Sequence, residues 1–166
     1  MEIKLASKDD INEIIRIIKD AIQDMDSEGI HQWDNVYPNE EIVLHDIHEG
    51  TIYVLIDNKQ VRGFLTLNED YEEEYNTINW RYRDGKNLII HRLCVDPKFQ
   101  GNGIARALIY FAERFGIENK YTSIRLDSFI SNHRACKLYE KNGYEVRGSV
   151  TFRKGKFLCF EKKYYK

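Results

Sequence analysis

Residues 88–116, LIIHRLCVDPKFQGNGIARALIYFAERFG, constrain the fold more than any other stretch of the chain. Leu88 to Val95 is an apolar run of strand length, stopped by Asp96-Pro97. Gln100-Gly101-Asn102-Gly103 then opens a segment whose apolar residues Ile104, Leu108, Phe111 and Phe115 make one stripe of an amphipathic helix. The unit reads as strand, glycine turn, helix. Such a turn leaves the first helical N–H groups without backbone partners and places about half a positive charge beside them. That end of a helix suits a phosphate group. The stretch lacks both GxGxxG and the GKS or GKT of a P-loop, which disfavours dinucleotide and nucleoside-triphosphate sites.

A chain of 166 residues is most simply one domain, expected over 1–166. At that size it can bury about 70% of its unfolded surface, so one core suffices. A net charge of −2 and a pI near 6.2 argue against a nucleic-acid partner, which calls for a clustered basic face. No uninterrupted apolar stretch suits a membrane span, and MEIKLASKDD lacks the apolar core of a signal peptide. Cys94, Cys136 and Cys159 are odd in number and show no CxxC spacing. Reduced thiols in a cytoplasmic protein are expected, not disulfides. No metal site is expected either, because His45 and His48 stand three apart with no cluster to complete them.

Along the chain, Glu2 to Ala6 reads as a first strand. Ser7 or Asp9 can then cap a helix with Ile11, Ile14, Ile15, Ile18 and Ile22 facing inward. Residues 25–38 break the pattern, and Trp33 in that loop can plug the core beneath it or line a pocket. Asn39 caps a short helix over 40–49. Thr51–Ile56 and Gln60–Leu67 form a hairpin around Asp57-Asn58-Lys59. Residues 69–87 are acidic and aromatic, with Glu69, Glu72, Tyr75 and Trp80 among them. The plain reading is a solvated charge run with local aromatic packing; the functional one is a negative mouth that attracts a cationic amine. Thr122–Asp127 is the next strand, and Ser131-Asn132-His133 starts a helix that Asn142-Gly143 ends. Tyr144–Phe152 and Lys156–Tyr164 close the chain as a second hairpin.

Arg92-Leu93-Cys94-Val95-Asp96-Pro97, Gln100-Gly101-Asn102-Gly103-Ile104-Ala105, and later Asn132 with Leu138-Tyr139-Glu140-Lys141-Asn142-Gly143-Tyr144 together resemble the GCN5-related N-acetyltransferase (GNAT) family. The resemblance is strongest over about residues 88–145 and implies an α/β fold. Its sheet would be mixed, mostly antiparallel and strongly twisted, with about seven strands and helices on both faces; the strands flanking the helix at 103–116 would be parallel. It also implies acetyl-CoA as co-substrate. The C-terminal half of strand 88–95 would part from its neighbour, freeing backbone groups around Leu93, Cys94 and Val95 for the pantetheine arm. The pyrophosphate would lie on the turn Gln100-Gly101-Asn102-Gly103 and the amides of Ile104 and Ala105. Asn132 would hydrogen-bond the cofactor, and Tyr139 would point its hydroxyl at the thioester sulfur.

The implied reaction is direct acetyl transfer to a primary amine, with Tyr139 protonating the departing thiolate. The base is open. Where some members carry a carboxylate this chain has Ile89, which leaves His91, Glu69 or a water relay. Cys94 has no base beside it in the sequence, which disfavours a ping-pong route. Trp33, Glu69 and Trp80 are the candidate acceptor-binding residues. A small-molecule amine is the leading acceptor, with a protein N-terminus or lysine as the alternative. A CoA-binding sensor without turnover is the rival from another class, and the resemblance leaves room for a homodimer.

Overall fold

A computed structural model describes residues 1–164. Residues 165 and 166, the end of the domain expected over 1–166, lie outside the described residues. Seven strands are described: β1 (Glu2–Leu5), β2 (Ile52–Asp57), β3 (Gln60–Asn68), β4 (Asn87–Val95), β5 (Ser123–Phe129), β6 (Glu145–Phe152) and β7 (Gly155–Lys163). Four α-helices accompany them: α1 (Ile11–Ser27), α2 (Glu40–Glu49), α3 (Ile104–Glu118) and α4 (His133–Lys141). The sheet order is β1-β2-β3-β4-β5-β7-β6. β1–β2, β2–β3, β5–β7 and β6–β7 are antiparallel, whereas β4–β5 is parallel. The parallel pair is the one joined through α3, because a strand cannot re-enter a sheet in the same direction without a crossover. The expected mixed, mostly antiparallel sheet is therefore the one found.

The chain divides into two compact units. The first comprises Met1–Leu67 and Arg92–Phe111. Its core joins Ile14, Ile17, Ile18 and Ala21 of α1 to Val43 of α2 and to Ile52, Val54, Val61 and Phe64 of the β2–β3 hairpin. Each such aliphatic or aromatic side chain contributes about 1.5–3 kcal/mol by leaving water. Ile17 and Ala21 extend the inward stripe beyond the isoleucines expected from spacing, while Ile11, Ile15 and Ile22 are only partly buried at its edges. Ser7 fixes the start of this region. Its Oγ accepts from the Asp9 amide (3.3 Å), and the Asp10 carboxylate accepts from the Ser7 amide (2.8 Å). Asn39 caps α2 as expected, its Oδ1 accepting from the Ile42 amide at 3.0 Å. Asn58 and Lys59 turn the hairpin with φ of 50° and 62°, the left-handed geometry of a tight two-residue connection.

Gly63 sets how closely β3 approaches β4 and α3 in this unit. A Cβ there would lie 2.9 Å from the Cys94 carbonyl oxygen, 3.1 Å from Ile104 Cγ2 and 3.2 Å from Leu108 Cδ1. Gly63→Ala is expected to cost about 1–3 kcal/mol by overpacking, measured by urea unfolding against the parent chain. An unchanged midpoint would show that the neighbours yield freely.

The second unit comprises Asn68–His91 and the chain from Ala112 onward. Strand β5 runs through it, with side chains alternating between faces. Cys136 of α4 approaches Ser128 on one face, Sγ to Oγ 3.7 Å. The segment 69–86 is fixed on the other face: Tyr75 OH donates to Asp127 (2.6 Å) and Arg125 Nη2 donates to the Tyr82 carbonyl (2.7 Å). Its charged side chains are mostly solvated, but Tyr75, Ile78 and Trp80 are buried.

Candidate active site

The glycine turn belongs to the first unit. Asp96 is almost fully buried; its Oδ1 accepts from the Lys98 amide (3.1 Å) and its Oδ2 from Arg16 Nη2 (2.9 Å). These bonds set the 3-10 turn Pro97–Phe99, whose Phe99 ring lies 3.7 Å below the Arg62 guanidinium carbon. Asn102 Nδ2 donates back to the Phe99 carbonyl (3.0 Å), closing the loop from inside. Gly101 and Gly103 then take φ of 82° and 78°, and a Cβ on either would meet nothing within 4 Å. The glycines serve backbone conformation here and leave open space above the turn. Intrahelical bonding starts where the Ala107 amide donates to the Gly103 carbonyl (3.0 Å). The amides of Ile104, Ala105 and Arg106 therefore precede the first helical acceptor. No acidic residue stands in the first turn of α3, so nothing there opposes an anion. A diphosphate fits this donor set.

Within the second unit, β4 and β5 pair at Asn87↔Ser123, Leu88↔Ile124 and Ile89↔Arg125, and the pairing does not continue to Ile90 and His91. Farther along β4, Arg92 has φ of 51°, which turns the backbone out of extended geometry. In the first unit, the Arg92 side chain is tied down by Asp46, whose Oδ2 accepts from Arg92 Nη2 (2.6 Å), Arg92 Nε (3.0 Å) and Thr66 Oγ1 (2.8 Å). Arg92 Nη1 also donates to Tyr37 OH at 3.0 Å. A left-handed conformation at a non-glycine residue costs of order 1–3 kcal/mol, and this buried network supplies the constraint that holds it. Leu93 and Val95 are half-buried, Cys94 buried. Burial pushes the Cys94 thiol well above its ordinary range, so it is not a thiolate at neutral pH.

Tyr139 and Asn132 belong to the second unit. Asn132 caps α4, its Oδ1 accepting from the Ala135 amide (3.2 Å). Tyr139 is buried, with ring centroids 6.1 Å from Tyr144 and 5.7 Å from Phe160. Burial, then the Asp127 charge, pushes its hydroxyl far above the usual phenol range. His91 Nε2 lies 2.7 Å from Asn68 Oδ1, and the exposed Glu69 accepts from Tyr121 OH at 2.9 Å. Ile89, which stands where some members of the family carry a carboxylate, is buried. Trp80 is buried with Nε1 donating to the Tyr75 carbonyl (3.0 Å), and Arg125 packs over its ring at 4.4 Å. Trp33 is 8% exposed and belongs to the first unit's core cluster, and Tyr37 is the exposed aromatic of that loop.

The sequence assigns no contact or role of their own to Asp46, Tyr75, Arg92 or Asp127, although Arg92 opens the family motif and Tyr75 belongs to the aromatic segment. Asp46 stands in EEIVLHDIHE and Asp127 in SIRLDSF, where polar and charged neighbours leave no local signal that the acid is enclosed. Among the described residues no group of three or more His, Cys, Asp or Glu side chains is arranged for a metal. No helix among them is long and apolar enough to cross a membrane.

The chain belongs to the acetyltransferase (GNAT) family, whose sequence model matches residues 16–144. The N-acetyltransferase YesJ of Bacillus subtilis is 24% identical over 123 residues, 73% of this chain and 68% of that protein. Streptothricin acetyltransferase of Escherichia coli is 34% identical over 63 residues, 38% of this chain and 36% of that enzyme. A GNAT-family acetyltransferase of Streptococcus agalactiae superposes with a TM-score of 0.88 at 25% identity, covering 99% of this chain and 96% of that one. The protein is thus an N-acetyltransferase.

Proposed function

We propose that this chain, acting over 1–166 as one catalytic domain, moves the acetyl group of acetyl-CoA directly to a primary amine of a small cationic molecule. The observation that carries the donor side is the open turn at Gly101 and Gly103, with unshared helix amides and no acid in the first turn. The pyrophosphate would sit on the amides of Gly101, Gly103, Ile104 and Ala105, beside Gln100 and Asn102. The pantetheine amides would pair with backbone around Leu93, Cys94 and Val95, a reading supported by the end of the parallel ladder at Ile89 and the turn at Arg92. Asn132 would bind the cofactor, and Tyr139 would donate to the leaving sulfur. Holding donor and acceptor together can supply about 7–11 kcal/mol of the barrier, and a backbone amide of the parted strand can stabilise the oxyanion. The acidic, aromatic segment 69–86 favours a cationic acceptor over a neutral one.

Two measurements test this. Calorimetric titration with acetyl-CoA should give saturable binding that weakens at least tenfold in Gly103→Val. The side chain would face open space, so a loss reports phosphate approach and turn geometry, not a crushed core. Equal affinity in the two proteins refutes the placement. Thiol release should then be followed over 1,3-diaminopropane, streptothricin and an alanine-initiated peptide. Turnover of the peptide alone assigns a protein acceptor, and acetyl-CoA binding without any turnover assigns a sensor.

A further inference from the structure

We propose that Asp127, fastened by Tyr75, is the proton acceptor for the incoming ammonium group, a role that rests on the acetyl-transfer reading above. The residues concerned all lie in the second unit. Asp127 stands on the face of β5 that the segment 69–86 covers. Its Oδ2 accepts from Tyr75 OH at 2.6 Å. Among the described residues Oδ1 takes no hydrogen bond, and the residue is half-buried, so that oxygen is the one left to meet an N–H donor.

Tyr75 is held for this task. It is 3% exposed, its ring packs 5.2 Å from Trp80 and stacks 6.2 Å from the exposed Tyr71, and its carbonyl accepts from Trp80 Nε1. Aromatic faces beside a carboxylate attract a cation from two directions. Burial is the main cause of an Asp127 carboxyl pushed up to about 6, with Tyr75 pulling it down and Glu72 pushing it up. The other groups bearing on the pair are Tyr139 on α4, Cys159 on β7, which is paired with Asp127 across the strands, and Arg125, which acts through Tyr75. Asp127 and Tyr139 belong to opposite faces of β5, the first under segment 69–86 and the second on α4, so base and acid would meet the amine and the sulfur from different sides. By contrast, His91 is engaged by Asn68 and Glu69 is exposed at Tyr121.

The step balances as follows. An ammonium proton passes to Asp127 Oδ1, and the neutral amine's lone pair forms the C–N bond at the thioester carbonyl while the carbonyl electrons move to oxygen. They return as the C–S bond breaks. The thiolate takes the Tyr139 proton, the surplus proton on nitrogen restores Tyr139, and Asp127 releases its proton to solvent. A carboxylate near 6 binds a proton roughly a hundredfold more tightly than an ordinary aspartate and is still mostly ionised at neutral pH.

The test is the pH profile of kcat/KM for the panel amine that releases thiol fastest, with a carboxyl-carbon NMR titration of Asp127 that needs no amine. The carboxyl should titrate near 6. The parent enzyme should gain activity as pH rises through that value, because the carboxylate is the active form. Asp127→Asn keeps shape and should lose about a hundredfold or more in kcat/KM, with acetyl-CoA affinity unchanged and the acidic limb gone. Tyr75→Phe removes a bond that favours the carboxylate, so the limb should move to higher pH. A merely structural anchor predicts no such move. Overturning results are an Asp127→Asn enzyme with parental rate and limb, or a carboxyl that titrates in the ordinary aspartate range. If no amine is turned over although acetyl-CoA binds, the transfer reading fails, and the NMR titration still decides whether Asp127 has the affinity for protons assigned to it.

Discussion

Tyr139→Phe is expected to lower kcat by about 10²–10⁴-fold and to leave acetyl-CoA affinity within about twofold. The substitution removes one oxygen and keeps the ring, which is bracketed by Tyr144 and Phe160. The binding surface at Gly101 and Gly103 contains no atom of this side chain. A hydroxyl pushed far above the usual phenol range stays protonated at every pH the protein tolerates, so it serves as a donor and contributes no limb of its own to the pH profile. A thiolate is a tolerable leaving group even unprotonated, which places the loss toward the lower end of the range. Steady-state rates beside calorimetric affinities check this. An unchanged kcat removes Tyr139 from the chemistry; an equal loss of affinity makes it a binding residue.

Glu161→Ala is expected to destabilise the protein by about 3–5 kcal/mol, the largest effect on folding of any single change considered. Glu161 is 1% exposed, and its Oε2 accepts from Arg125 Nε at 2.9 Å. Its Oε1 accepts from the Arg81 amide (2.9 Å) and from Arg147 Nε (3.3 Å). Truncation strands the buried Arg125 without its counter-charge and releases segment 69–86 from β7. At about 2–4 °C per kcal/mol the melting temperature should fall by roughly 6–20 °C. Replacing Arg125 with Met and Glu161 with Leu together should recover much of the loss, because the penalty comes from an unpaired charge, not from absent attraction. A fall below about 1 kcal/mol in the single variant would mean that water reaches Arg125 and that the segment is not fastened as described.

The two large effects differ in how far they could be foreseen. Tyr139 sits in LYEKNGY, a continuous stretch whose resemblance and helical setting can be read without coordinates. Glu161 sits in KFLCFEKKYY, where an acid among apolar and basic residues looks like an outward-facing strand position. Its burial depends on Arg125, 36 residues earlier, and on the fold of segment 69–86. The acids and local aromatic packing of that segment are legible in the sequence, but that Tyr75, Ile78 and Trp80 are buried against β5 and β7 is not. Period and propensity describe neighbours in the chain and cannot say that a tyrosine meets an aspartate 52 positions away.

Local patterns alone thus determined the strands, the helices and the glycine turn, because periodicity, caps and φ preferences act over a few residues, and the sheet's mixed order followed from the family resemblance. Tertiary structure alone decided which acids are enclosed and what they touch: Asp46 buried under Arg92, Glu161 buried between two arginines, and Asp127 half-buried under Tyr75. A buried carboxylate is tolerable only with partners in place, and those partners arrive from distant parts of the chain when it folds.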